Sequence, residues 1–148
     1  MSKPQPPIAT LPQPLATVAV TGGNGFIAAH IVHQLLQSGR YHVTATVRST
    51  AAQSPLWSFP GAAERLRLVQ ADLLDADSWN FEGIQTVMHV ASPFVVNVKD
   101  PQKDLVDPAV QGTLNVLRAA MRDGVSQVIL TSSIATLTDQ PVRGKVWF

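Results

Sequence analysis

The sequence contains no cysteine, which excludes a disulfide-stabilised scaffold and a metal site built from thiolates. Charged residues are scarce as well: they make up 14% of the 148 residues and leave a net charge of +1. This balance argues against a basic nucleic-acid-binding domain and against an acidic disordered chain. No apolar run approaches the roughly 18 residues of a membrane-spanning helix, so no membrane partner is expected. The missing cysteines fit a reducing compartment, and we expect a cytoplasmic protein without a metal site.

Proline is concentrated at the start of the chain. The first sixteen residues, MSKPQPPIATLPQPLA, hold five of the eleven prolines. They lack both the basic leader and the continuous apolar core of a secretory signal. We therefore predict a flexible proline-rich arm over residues 1–16, followed by one domain over residues 17–148.

From residue 17 onward, short β-branched runs alternate with longer helical patterns. Five strands are predicted, at 17–21, 42–48, 65–71, 86–92 and 126–133, with helices over about 27–37 and 107–122. Between them, residues 49–63 predict a loop with at most a short helix, because Pro55 and Pro60 interrupt it. This alternation is typical of an α/β fold with a doubly wound parallel sheet. In the second helix, the expected buried stripe consists of Val110, Leu114, Leu117 and Met121.

The stretch TGGNGFIAAH, residues 21–30, lies between the first strand and the first helix. Gly22 can take the tight turn off the strand, Gly25 lets a pyrophosphate approach the backbone, and Ala28 allows close packing of the helix. The helix N-terminus adds unpaired N–H groups and a positive dipole end. The spacing is G-x-x-G, and alanine replaces the third glycine. The pattern predicts a phosphate-binding turn; a glycine-rich connection without a ligand is the alternative.

Arg48 stands twenty residues beyond Ala28, at the end of the second predicted strand. An acidic residue in this place would hold the ribose 2′-hydroxyl of NAD. An arginine suits a 2′-phosphate instead, which it can grip with two parallel charge-assisted hydrogen bonds. The residue favours NADP(H) as the cofactor, with a solvated arginine at a strand end as the alternative.

Several motifs, in order, resemble the extended short-chain dehydrogenase/reductase family, of the NAD-dependent epimerase/dehydratase type. The resemblance is greatest to its dihydroflavonol and cinnamoyl-CoA reductases and its fungal aldehyde, ketone and methylglyoxal reductases. It covers Val18 to about Asp139 and rests on VTGGNGFIAAHIVHQLL, TVRS, ADLLD, VMHVASPF, DPAVQGTLNVLRAA and VILTSS. It implies a Rossmann-type sheet of about five strands, of which this chain would hold the N-terminal part only.

The resemblance also implies a set of cofactor contacts. They are the pyrophosphate contacts Gly22, Gly25, Phe26 and Ile27, the 2′-phosphate contact Arg48, the adenine contacts Asp72 and Leu73, and the nicotinamide-ribose contacts Ala91 and Ser92. For Asp72 the alternative is a carboxylate that only caps its own loop. We interpret His89 as a packed strand residue without a catalytic role.

Ser133 is the one candidate catalytic residue. The resemblance implies that this serine hydrogen-bonds a substrate carbonyl while a tyrosine donates the proton and a lysine four residues later lowers the tyrosine pKa. The only tyrosine here is Tyr41, and no lysine follows it at that spacing. We expect the Tyr/Lys pair some thirty residues beyond Phe148, which would make this a C-terminally truncated, inactive chain. Capping of a strand end is the alternative role for Ser132 and Ser133.

Three functions remain open at this point. The first is the NADPH-binding portion of an oxidoreductase that reduces an aldehyde or ketone, with a small carbonyl compound as its substrate. The second is a dinucleotide-binding module without turnover, and the third is a fragment of an epimerase or dehydratase. Loss of the helix that would cover the fourth and fifth strands also predicts self-association through that sheet face.

Overall fold

The computed structural model describes residues 15–50, 54–93 and 99–133. In this part of the chain, five strands form one parallel sheet: β1 (Ala16–Val20), β2 (Tyr41–Val47), β3 (Leu66–Gln70), β4 (Thr86–His89) and β5 (Gln127–Leu130). Their order across the sheet is β3-β2-β1-β4-β5. All five carboxyl ends therefore lie along the same edge. The chain reverses its direction of travel across the sheet between β1 and β4, which is the switch point of a doubly wound fold.

The two faces of the sheet are covered by different helices. Helix α1 (Phe26–Gln37) buries Ala28, Val32 and Leu36 against Val18 and Val20 of β1 and against apolar residues of β2. Helix α3 (Asp107–Arg122) packs on the opposite face, in a cluster that includes Ala19 and Val87. Because successive strand side chains point to opposite faces, neighbouring residues of β1 belong to the two different clusters. The doubly wound α/β prediction is confirmed.

The predicted buried stripe of α3 is wrong. Val110, Leu114 and Met121 are exposed by 54%, 38% and 82%, and Leu117 is only partly buried. The buried face instead consists of Gly112, Asn115, Val116, Ala119 and Ala120. The helix carries two apolar stripes, and the one with smaller side chains allows closer packing. A Cβ on Gly112 would lie 2.9 Å from the Cβ of Leu73, so the loop after β3 leaves no room for a larger residue.

The segment between β2 and β3 contains two short helical pieces, one more than the single short helix that the prediction allowed. A 3₁₀ turn spans Pro55–Ser58, and the four-residue helix α2 spans Ala62–Arg65. Leu56 of the 3₁₀ turn is completely buried, so this loop is anchored on the α1 side of the sheet. A second 3₁₀ turn spans Ala76–Ser78, and a π-helical turn at Gln102–Val106 leads into α3.

The ends of the described part differ slightly from the predictions. Strand β1 begins at Ala16, the last residue of the predicted arm, and residues 1–14 of that arm lie outside the described residues. The paired residues of β4 and β5 end at His89 and Leu130, earlier than predicted. The Thr131 N–H still donates to the His89 carbonyl at 3.0 Å. Among the described helices, none has the length and apolar character needed to cross a bilayer.

Candidate cofactor site

The five residues between β1 and α1 form a tight glycine turn over the carboxyl end of β1. Gly22 has φ +71°, a left-handed conformation that side chains other than glycine rarely adopt. Its N–H donates to Thr46 Oγ1 at 3.1 Å, which ties the turn to β2. A Cβ on Gly22 would lie 3.0 Å from the Cβ of Ala91. Both conformation and contact therefore require glycine here, and the turn lies directly against the chain leaving β4.

Gly25 has a different reason to be glycine. Its φ of −73° suits any residue, and among residues 15–50, 54–93 and 99–133 a Cβ there would meet only the Gly22 carbonyl oxygen, at 3.1 Å. No other atom of these residues, apart from its chain neighbours, would lie within 4 Å of that Cβ. Gly25 is the N-cap of α1, no side chain caps the helix, and its first turn carries no acidic residue. A Cβ would fill the space through which a diphosphate would reach the helix N-terminus, so the turn fits that group.

The turn is supported from below by the 3₁₀ segment that follows β2. Gly23 donates its N–H to the Thr46 carbonyl at 2.7 Å, and a Cβ on Gly23 would lie 3.1 Å from Leu56 Cδ1. Ser54 donates its hydroxyl to Asn24 Oδ1 at 2.7 Å, and its Oγ accepts the Leu56 N–H. These contacts join the glycine turn to the loop that begins at Arg48. The bond between Ser54 and Asn24 joins residues 30 positions apart, so no local pattern in the sequence points to it.

Arg48 and Asp72 lie on the β2 and β3 side of the turn. Arg48 is the first residue after β2 and Asp72 is the second after β3, and each residue is exposed. Asp72 Oδ1 accepts the Leu74 N–H at 2.8 Å, so the loop-capping role is observed. The carbonyl of Leu73 accepts a hydrogen bond from Asn115 Nδ2 at 2.8 Å. The structure therefore brings these residues to the carboxyl edge of the sheet, while their contacts with a 2′-phosphate and an adenine stay predictions.

Ala91, Ser92 and Ser133 lie on the other side of the turn. Ala91 is partly buried against Gly22, whereas Ser92 is exposed after the end of β4. Ser133 is exposed and follows β5, three residues beyond its last paired residue. Across the carboxyl edge of the sheet, the predicted residues therefore follow one another in the order Asp72, Arg48, the glycine turn, Ala91 and Ser92, and Ser133. An elongated ligand with adenine at the first end and a reacting group at the other would follow this edge.

His89 is the last residue of β4 and is only 2% exposed. Its Nδ1 lies 2.8 Å from Thr21 Oγ1, a hydroxyl that also accepts the N–H groups of Val90 and Ala91. Burial in the sheet lowers the pKa of this imidazole below its ordinary value. The structure thus shows His89 as a packed residue. Thr21 was not singled out in the sequence, although a polar residue at the end of an apolar strand is a usable signal.

Tyr41 lies far from these residues along the strand. It is the first residue of β2, at the amino end, whereas Arg48 follows the carboxyl end. Its ring contacts the guanidinium of Arg40, whose Cζ is 6.0 Å from the ring centroid. The only tyrosine of the sequence is therefore not placed to serve a site at the carboxyl edge.

Asn115 is a second residue that sequence reasoning missed. It is 3% exposed, and its Oδ1 accepts from Gln111 Nε2 at 2.7 Å while its Nδ2 holds the loop after β3. A polar residue within a stripe of small helical residues could have identified it. Across residues 15–50, 54–93 and 99–133, no three histidine or acidic side chains are grouped to hold a metal ion.

The strand order, the switch point and the glycine turn define a Rossmann-type domain. Residues 18–143 match the model of the NAD dependent epimerase/dehydratase family. The chain belongs to this family.

Individual relatives are reductases. The chain is 47% identical over 130 residues to cinnamoyl-CoA reductase 1 of Oryza sativa subsp. japonica, covering 85% of this chain and 37% of that protein. It is 40% identical over 127 residues to dihydroflavonol 4-reductase of Zea mays, covering 82% and 35%. Among solved structures, yeast methylglyoxal/isovaleraldehyde reductase Gre2 complexed with NADPH matches with a TM-score of 0.70 and 32% identity, over 80% of this chain and 37% of that one. The chain thus spans little more than a third of these relatives.

Proposed function

We propose that this chain is the NADP(H)-binding portion of an oxidoreductase that reduces an aldehyde or ketone. The open glycine turn at the switch point carries the proposal: Gly25 leaves space for a diphosphate before an uncapped helix N-terminus. Arg48 stands one strand away, where a 2′-phosphate would lie. Membership of the NAD dependent epimerase/dehydratase family, and the NADPH complex of a reductase with the same fold, support it.

In this proposal the N–H groups at the start of α1 donate to the pyrophosphate, and the helix dipole favours its negative charge. Arg48 binds the 2′-phosphate through charge-assisted hydrogen bonds. Asp72 and Leu73 border the adenine, and Ala91 and Ser92 border the nicotinamide ribose. When bound, NADPH supplies a hydride for reduction of the carbonyl. Ser133 would orient the substrate by donating a hydrogen bond to its carbonyl oxygen.

Carbonyl reduction also needs a proton donor with a suitable pKa. Tyr41 is at the amino end of β2, so no tyrosine of these 148 residues can act beside Ser133. This observation favours a second candidate, a module that binds the dinucleotide without turnover. Mixing the chain with NADPH and a panel of aldehydes and ketones tests the module. Steady NADPH consumption would exclude it, whereas binding without consumption is expected both for the module and for a portion of a reductase whose proton donor is not among these 148 residues.

The Arg48→Ala variant tests the cofactor class. We expect it to weaken binding of NADPH and NADP by about 1 to 3 kcal/mol, because a charge-assisted hydrogen bond to a phosphate contributes on that order. Binding of NAD, which has no 2′-phosphate, should hardly change. Isothermal titration calorimetry with the three nucleotides measures the difference.

The matched control is Arg40→Ala, which removes an arginine at the opposite end of the same strand. We expect it to leave all three affinities within about twofold, since long-range charge effects are largely screened at physiological salt. Equal losses for all three nucleotides in Arg48→Ala would contradict the selection of the 2′-phosphate. Failure of every nucleotide to bind the wild-type chain would contradict the proposed function itself.

A further inference from the structure

The hydroxyl of Thr21 joins three groups at the place where β1 and β4 end. It is completely buried, and it accepts the N–H groups of Val90 at 3.0 Å and Ala91 at 2.9 Å. The same oxygen lies 2.8 Å from His89 Nδ1. A hydroxyl has one hydrogen and two lone pairs, and the two amides use both lone pairs. The Thr21 hydrogen must therefore point to Nδ1, which has to be an acceptor.

This arrangement determines the protonation state of His89. With Nδ1 accepting, the imidazole is neutral and carries its proton on Nε2. A second proton would place two hydrogens face to face between Nδ1 and the hydroxyl. Burial acts in the same direction, because it lowers the pKa of His89. The protonated ring is thus incompatible with the hydrogen bonds that Thr21 makes.

No described charge would compensate for a protonated ring. Strands β1, β4 and β5, read as ATVAV, TVMH and QVIL, contain no charged side chain. The face of α3 that packs on the sheet consists of Gly112, Asn115, Val116, Ala119 and Ala120, all uncharged. The charged residues of α3, Asp107, Arg118 and Arg122, are exposed. In residues 15–50, 54–93 and 99–133, burial is accordingly the one cause that shifts this pKa.

One hydrogen bond connects Thr21 to a residue that borders the proposed cofactor crevice. The amide of Ala91 is bonded to Thr21, and the side chain of Ala91 lies against Gly22 of the glycine turn. The carbonyl of His89 in turn accepts the Thr131 N–H at 3.0 Å, on the strand that leads to Ser133. A change in the protonation of the imidazole therefore alters the hydrogen bonds at the ends of β1 and β4, beside the proposed nicotinamide half of the crevice.

We propose that His89, acting through Thr21, is a positioning residue for the nicotinamide half of the cofactor, and that protonation of its ring releases that half. The inference rests on the proposed function. It gives a binding site whose affinity for NADPH weakens as the solution becomes acidic, because only the adenosine half remains held, through Arg48 and the glycine turn. His89 itself touches neither cofactor nor substrate in this scheme.

Two substitutions of His89 separate positioning from packing. His89→Asn keeps an acceptor atom on Cγ, as Nδ1 is, and cannot be protonated, whereas His89→Leu removes the acceptor. At neutral pH we expect His89→Leu to weaken NADPH binding roughly tenfold, the usual consequence of one lost buried hydrogen bond. Adenosine 2′,5′-bisphosphate, which lacks the nicotinamide half, should bind as it does to wild type. His89→Asn should resemble wild type with both ligands.

Thr21→Val and Thr21→Ser provide the same comparison if the His89 variants do not fold. Valine removes the hydroxyl with little change of shape and should act like His89→Leu, while serine keeps the hydroxyl. Equal NADPH affinity for the valine and serine variants would overturn the inference. Parallel losses for NADPH and adenosine 2′,5′-bisphosphate would also overturn it, because they indicate a purely structural role. If neither ligand binds wild type, the proposed function fails instead.

The pH dependence of NADPH binding tests the protonation step, because a residue that only packs in the core would not change it. A 2′-phosphate titrates near pH 6, so the affinity of NADPH is divided by that of adenosine 2′,5′-bisphosphate, which carries the same group. We expect this ratio to fall in wild type below the ordinary histidine pKa of about 6.5 and to stay level in His89→Asn. A level wild-type ratio, or the same fall in His89→Asn, would refute the protonation step.

Discussion

Gly25→Ala should separate cofactor binding from folding. The backbone of Gly25 has φ −73°, which alanine adopts without strain, and a Cβ would contact only the Gly22 carbonyl at 3.1 Å. Alanine is a poorer N-cap than glycine by a few tenths of a kcal/mol or more, and it restricts the unfolded chain by a similar amount. These effects oppose each other. The free energy of unfolding should therefore change by less than about 1 kcal/mol.

Binding should change much more, because the new methyl group occupies the space above the turn. Displacing a diphosphate from the helix N-terminus removes about one hydrogen bond to a charged group, which contributes about 1.5 to 3 kcal/mol. We expect NADPH affinity to fall by roughly 10-fold to 100-fold. Calorimetric titration gives the affinity, and thermal unfolding of the same sample gives the stability.

Gly22→Ala is the matched comparison three residues earlier in the same turn. It places a side chain at φ +71° and brings a Cβ to 3.0 Å from Ala91 Cβ. The left-handed backbone and the overpacking together should cost about 2 to 4 kcal/mol, a fall in Tm of roughly 6 to 12 °C. Gly22→Ala should therefore be unstable and Gly25→Ala stable but weak in binding. A stable Gly25→Ala chain with wild-type NADPH affinity would refute the proposal that the glycine turn binds the diphosphate.

Three further predictions concern the parts that support the site. Ser54→Ala removes the bond to Asn24 and should lower stability by about 1 kcal/mol and NADPH affinity several-fold, unlike a control Ser58→Ala. Asn115→Leu removes the two hydrogen bonds that the buried Asn115 amide makes with Gln111 and the Leu73 carbonyl, and it should cost about 1 to 3 kcal/mol in urea unfolding; no loss would contradict its role. The pKa of Asp123 is lowered chiefly by the hydrogen bond that it accepts from Arg122. Its contribution to folding stability is therefore complete at pH values above its ordinary pKa, and it is lost as the pH falls through the lowered pKa. Asp123→Asn should flatten that acid limb of the stability profile, and an unchanged limb would count against it.

The local features of this fold could be predicted from the sequence. Each strand is a short β-branched run, and the glycine turn, α1 and the end of β2 follow one another within about thirty residues. The residues that meet the carboxyl edge follow from parallel strands alone, because every such strand ends at that edge. This is why the sequence alone predicts that Arg48 and Asp72 lie at the carboxyl edge of the sheet.

What could not be predicted depends on contacts between distant residues. Helix α3 offers two apolar stripes, and the one that is buried includes Gly112, which packs closely against Leu73. The bond between Thr21 and His89 joins residues 68 positions apart, and no local pattern encodes it. Sequence reasoning favoured the bulkier stripe because it weighs hydrophobicity, whereas the tertiary structure selected the stripe that allows close approach.

The proposed cofactor site is tested most directly by locating NADPH on the folded chain. Amide chemical shifts in ¹⁵N-labelled protein, followed during an NADPH titration, report which N–H groups meet the ligand. We expect the largest changes at Gly22, Gly25, Phe26 and Ile27, with further changes at Arg48 and Ser92. Of these, only the first group and Arg48 should respond to adenosine 2′,5′-bisphosphate. Saturable changes confined to the exposed stripe of α3, with a silent glycine turn, would contradict it.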